Sequence, residues 1–138
     1  MHRLPVAALG LLLSAAPCAA AEPVGLWQTE DGGSRVKIAP CGPALCGTLA
    51  WLREPLDSQG RPKLDSANVD PALRTRPLTG LPLISGMAAA GAGWRGKVYN
   101  PEDGKTYDAT LSLKDASTLL LQGCVAAVLC QTETLTRQ

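Results

Sequence analysis

Short apolar segments that alternate with polar residues, cut by turn signals about every 8 to 12 positions, constrain this chain more than any other feature. In RVKIA, Val36 and Ile38 fall on one face, with Arg35 and Lys37 on the other. WRGKVYN sets Trp94 and Val98 against Arg95, Lys97 and Tyr99, and KTYDATLSL lines up Tyr107, Ala109, Leu111 and Leu113. A period of two belongs to a half-buried strand, because successive side chains point to opposite faces. VGLWQT, CGTLAWL (Leu49 and Trp51 on one side), PLISGM, TLLLQGC and VLCQTETLTR add further strands, and DGGS, PEDG and KDAS supply turns. MAAAGAG reads as a small-residue link without an amphipathic helical period. Seven or eight short strands with no helix beyond the leader predict an all-β antiparallel barrel or sandwich.

One stretch breaks the pattern. Residues 57–81, DSQGRPKLDSANVDPALRTRPLTGL, combine mixed charges, prolines, Asn68 and the pair Arg74 and Arg76 with no strand or helix period. A loop of that length inside a compact domain is functional or disordered. Leu73, Leu78 and Leu81 give it something to bury and its charges are of both signs, so an ordered loop over a β-scaffold is expected.

Residues 1–21 read as an export signal: His2 and Arg3, then the apolar run LPVAALGLLLSAAP, then Ala19-Ala20-Ala21 for cleavage. The run is short for a membrane-spanning helix, which needs about 20 apolar residues. Pro17 and Ala15 do not fit a lipidation box before Cys18. A periplasmic or secreted protein with no stable membrane anchor is expected, with residues 22–138 forming one domain. Loss of Arg3 balances the 13 basic against the 12 acidic residues. With no basic stripe, the chain offers nucleic acid no electrostatic footprint. Cys41, Cys46, Cys124 and Cys130 then remain, and an oxidising compartment favours disulfides with three connectivities open. Local pairing, Cys41 with Cys46 and Cys124 with Cys130, is the expectation, since either short loop lets the Cα atoms approach. A four-cysteine zinc site would favour tighter spacing.

The only histidine, His2, leaves with the signal. No Ser-His-Asp or Cys-His pair can then form, and bridged cysteines supply no thiolate. Asp57, Asp65 and Asp70 in the loop, with Glu102 and Asp103 in a turn, are the acids available to a carboxylate-based hydrolase. The plainer expectation is that Asp65 and Asp70 pair with Arg74 and Arg76 to hold the loop. DSANVD lacks the alternating oxygen positions of an EF-hand, and Arg76 stands where its closing Glu belongs. No cofactor or metal is expected.

GLW ending at Trp27, CGPALCG from Cys41 to Gly47, Trp51-Leu52, the set Asp57, Gly60, Pro62, Asp65, Asn68 and Asp70, LRTRPLTGL, and YNPEDGKTY from Tyr99 to Tyr107 occur together. As a set they resemble the bacterial domain of unknown function 2147 family, small exported proteins with no agreed activity. The resemblance covers essentially all of residues 22–138 and departs at Leu135, where members commonly carry Trp. It implies a lipocalin-like (calycin) up-and-down β-barrel and a carrier of small molecules, and it transfers no catalytic residue. Pockets in barrel mouths are mostly apolar with a few placed polar groups. Trp27, Trp51, Trp94 and Tyr107 are therefore expected either to line a site for a small apolar ligand, rimmed by Asp65, Asp70, Arg74 and Arg76, or simply to fill a small core. The alternative is a cell-envelope protein-interaction module that uses the 57–81 loop; a filled interior would favour it.

Overall fold

A computed structural model describes residues 2–5, 7, 10–12, 22–126 and 128–138. Cys18 and the expected cleavage point at Ala21 lie outside the described residues. Eight strands form in chain order: β1 (Gly25–Thr29), β2 (Ser34–Cys41), β3 (Ala44–Leu52), β4 (Pro82–Ala90), β5 (Gly93–Asn100), β6 (Lys105–Asp115), β7 (Thr118–Ala126) and β8 (Leu129–Arg137). Each pairs antiparallel with its sequence neighbours, and β8 closes onto β1, so the barrel has no free edge. The up-and-down order sends connections to two ends. One end, here the strap end, carries residues 22–24 and the turns after β2, β4 and β6. The other, the loop end, carries the turns after β1 and β5, the long 53–81 connection and the β7–β8 tip.

Alternation fills the barrel. Trp27, Val36, Ile38, Ile84, Met87, Ala109, Leu111, Leu119 and Leu135 all point inward, and none is more than 4% exposed. Side chains this inaccessible have no water-sized space beside them, so the interior is a packed core of the kind eight strands can just enclose. Burial of each large one stabilises the fold by about 1.5–3 kcal/mol. The Trp27 indole N–H donates to the Pro23 carbonyl at 2.8 Å, so its polar tip is satisfied where the strap passes. Arg137 fastens that strap: its guanidinium donates to the carbonyls of Val24 and Glu22 at 2.8 and 2.9 Å and lies 4.3 Å from the Trp27 ring centre. Both disulfides are local as expected. Cys41–Cys46 clips the turn at the strap end and Cys124–Cys130 the tip at the loop end, each contributing about 2 kcal/mol on the chain-entropy account.

Three expectations change. Trp51 does not share a face with Leu49, because Val36 pairs with Leu49 while Arg35 pairs with Trp51, leaving Ala50 as the extra residue of a β-bulge. A one-residue slip sends every later side chain to the opposite face. Trp51 therefore lies on the outer surface, 37% exposed, with the Arg35 guanidinium 4.6 Å from its ring centre. The small-residue run is strand as far as Ala90 rather than a link. In the long loop Leu81 is buried, but Leu73 is exposed.

Leu111→Ala is expected to lower stability by about 2–5 kcal/mol by opening a cavity in the core. Trp51→Ala, on the outer face, should cost about 1 kcal/mol or less. Urea-unfolding midpoints of the two variants check both values, and equal losses would contradict the bulge.

Candidate functional site at the loop end

The long connection folds through a few local devices. The Asp57 carboxylate accepts the N–H groups of Gln59 and Arg61, both at 2.9 Å, and closes a tight turn across Gly60. Short bridges pair Leu56 with Pro62 and Leu64 with Pro77. Asp70 caps the single 3-10 turn, Pro71–Leu73, by accepting the Ala72 N–H at 3.0 Å.

At the centre of the loop lies Asp65, 0% exposed. A buried carboxylate is tolerable only when it is paired and hydrogen-bonded. Here Oδ1 accepts the Tyr99 hydroxyl at 2.5 Å, while Oδ2 accepts Asn68 Nδ2 and Arg76 Nε, each at 2.9 Å. Asn68 Nδ2 also reaches the Tyr99 oxygen at 3.1 Å, and Arg74 Nε donates to the Asn68 carbonyl at 2.7 Å. Burial pushes the Asp65 carboxyl up, but the bonds from Tyr99, Asn68 and Arg76 outweigh it and hold its pKa below the ordinary 3.8. The same burial, then the facing carboxylate, pushes the Tyr99 phenol up from 10.0. Because Tyr99 belongs to β5, this network ties the loop to the barrel wall.

The β5–β6 turn completes the seat. Gly104 has φ +72°, and a Cβ there would overlap the Ala67 carbonyl oxygen. Only glycine meets both demands. The loop thus rests directly on this turn, whose shape is set by Asn100 and Asp103 accepting the N–H groups of Glu102 and Lys105 at 3.0 and 2.9 Å. The Tyr107 hydroxyl also donates to Asp103, which lowers the Asp103 pKa.

The eight residues expected to form one ligand site do not converge. Trp27 is buried in the core, Trp51 is outside, Trp94 is at the strap end and Tyr107 at the loop end. Of the four rim residues, Asp65 and Arg76 meet in an ion pair at 2.9 Å. Asp70 and Arg74 do not pair, since Asp70 caps a turn and Arg74 holds a carbonyl. Tyr99 and Asn68 were not among the expected site residues. The signal for Asn68 was a lone amide between two acids in a loop, but nothing local links Tyr99 to a carboxylate 34 positions earlier.

Beside the locked loop is an open groove of about 540 Å³, with Val69, Gly104, Tyr107, Asp108, Val125 and Lys97 among its walls. Lys97 and Asp108 form an ion pair across β5 and β6. The β7–β8 tip stands next to it, and Val69 of the loop and Val125, Val128 and Leu129 of the tip are between 66% and 87% exposed. Among the described residues no three His, Cys, Asp or Glu side chains gather as metal ligands would, and no helix is long and apolar enough to cross a membrane.

A sequence profile described as "Uncharacterized protein conserved in bacteria (DUF2147)" matches residues 25–137. The chain belongs to this family. The DUF2147 barrel is also similar to a solved Helicobacter pylori structure titled "Protein HP1028 from the human pathogen Helicobacter pylori belongs to the lipocalin family", with TM-score 0.74 and 22% identity over 86% of this chain and 84% of that one. At that identity the likeness shows the fold alone, and the lipocalin-like eight-stranded barrel implied by the family resemblance is the one observed. No curated protein matches this DUF2147 chain.

Asp65→Asn and Tyr99→Phe are each expected to cost about 1–3 kcal/mol, because each leaves buried partners short of a hydrogen bond. The Asp65 pKa is depressed on folding, so its contribution is full above the ordinary carboxyl value of 3.8 and is lost as pH falls through the lower folded value. Urea titrations across acid pH should show that loss in the wild type and a smaller one in Asp65→Asn.

Proposed function

We propose that this protein is a binding module of the cell envelope that engages a protein partner through the loop end of its barrel. One observation carries the reading. Between residues 22 and 138 the exposed large hydrophobics among the described residues are Trp51, Leu56, Leu64, Val69, Leu73, Val125, Val128 and Leu129. All belong to the end of β3, the long loop or the β7–β8 tip, and the strap end contributes none. Aliphatic side chains gathered on one end of a small domain mark a surface that is covered in use.

Two features support a preformed contact surface. The Asp65 network fixes the loop on β5, and the Cys124–Cys130 bridge clamps the tip. Less conformational freedom is then lost on binding. Bridged cysteines and the leader-like start favour an oxidising compartment outside the cytoplasm. The packed interior argues against carriage inside the barrel, and the carboxylates of Asp57, Asp65 and Asp70 are engaged in turns and in the Asp65 network.

A second reading, a small apolar ligand held at the same end, draws on the lipocalin-like fold and on the groove walled by Val69, Tyr107 and Val125. Pockets at barrel mouths suit such ligands.

Cross-linking in envelope preparations, with the triple variant Val125→Ser, Val128→Ser and Leu129→Ser beside the wild type, tests the first reading. A discrete protein adduct should form with the wild type and fall at least about tenfold with the variant, the loss expected when central apolar contacts go. An adduct that persists undiminished overturns it. Extraction of a stoichiometric small molecule from the purified protein would select the second reading instead.

A further inference from the structure

We infer that the partner at the loop end is a second copy of this chain, bound about a two-fold axis. The inference rests on the reading of that end as a contact surface and names what covers it.

Shape supplies the first argument. A two-fold contact brings one patch against itself, so the same patch must carry both a projection and a recess. The loop end has the two side by side. Val128 lies in the β7–β8 turn and Leu129 in the last pair of that ladder, and they are 87% and 66% exposed. The groove of about 540 Å³ opens next to them, with Val69 and Val125 in its walls. Turned about an axis through this end, each copy sets Val128 and Leu129 into the groove of the other, against Val69 and Val125.

Charge narrows the kind of partner. Residues 22–138 hold 12 basic residues, the 13 of the whole chain less Arg3, against 12 acidic ones. Around the groove the charges come as neighbours of opposite sign: Lys97 pairs with Asp108, and Lys105 stands two positions from Asp103 in one turn. Such a patch has no field with which to select a strongly acidic or basic protein. Against its own copy it meets no excess of like charge, which a self-contact has to avoid.

Area and closure agree with this. Val69, Val125, Val128 and Leu129 expose on the order of 450 Å² of apolar surface between them, within the range of a functional patch. Two copies bring about 900 Å², and at the roughly 57% apolar share of ordinary interfaces this corresponds to about 1,600 Å² in all, the standard size for a specific complex. Among the described residues from 22 onward the strap end exposes no large hydrophobic side chain, so there is no second patch on which a fibre could grow. The contact closes at two.

The test is sedimentation velocity on protein purified from the envelope. Interfaces of this area hold with micromolar or lower Kd, so a dimer should form and saturate by about 100 µM. Val128→Glu alters the projection and Val69→Lys the groove wall, both at exposed positions where the urea midpoint should not move. Each alone should weaken the dimer at least about tenfold. Mixed together they should associate at least about tenfold more tightly than either alone, because the mixed pair keeps one intact contact and sets Glu against Lys in the other. A merely damaged fold gives no such recovery. A monomeric wild type, species that grow without limit, variants that dimerise like the wild type, or mixing without recovery would each overturn the inference. An envelope adduct with the mass of two chains supports it. An adduct with a different protein overturns it and leaves the contact-surface reading standing, whereas no adduct at all ends both.

Discussion

Closing eight antiparallel strands sets the width of the space inside them, and here side chains occupy it. Trp27, Ile38, Ile84, Met87, Leu111, Leu119 and Leu135 meet across the barrel with no water-sized room between them. This packing is the main source of stability in a chain without phenylalanine. It also decides where recognition takes place. A filled barrel offers only its walls and its two ends, and the ends differ sharply in character. One is sealed by a strap under Arg137; the other bears a long loop and an apolar tip.

The loop keeps its shape for a reason unlike that of the barrel. It contributes one well-buried aliphatic side chain, Leu81, and otherwise depends on polar groups. Asp65 needs three donors, and these come from the loop itself through Asn68 and Arg76 and from the wall through Tyr99. Gly104 lets the turn beneath approach the Ala67 carbonyl. Removal of one donor leaves a buried charge short of a partner, which is why so few residues hold so long a segment. The aliphatic side chains of Val69 and Leu73 are consequently free to face outward.

Much of this fold could be read from alternation. Val36 and Ile38, or Ala109 and Leu111, face the core as a period of two requires. Where alternation failed, the cause was local and invisible to pattern: the bulge at Ala50 turned Trp51 outward although Leu49 faces in. The loop was legible as an ordered insertion, but its organisation was not. Asp65 paired with Arg76 as expected, whereas Asp70 took the capping role its position before Pro71 favours. Tyr99 was placed correctly on the face opposite Trp94 and Val98, yet its partner comes from a segment whose path no local rule describes. The two cystine pairings were readable because each spans only a turn.

The pairing of β1 with β8 bears on how the molecule is made. Thr29 and Leu135 are partners in that seam, and Arg137 grips the residues just ahead of β1. The final ring of hydrogen bonds therefore cannot form until the last strand has emerged from the ribosome. Contacts between such distant positions also slow folding, because the intervening chain must first be brought together. Until β1 and β8 meet, each is an open edge, so protection from edge-to-edge pairing arrives only with this seam.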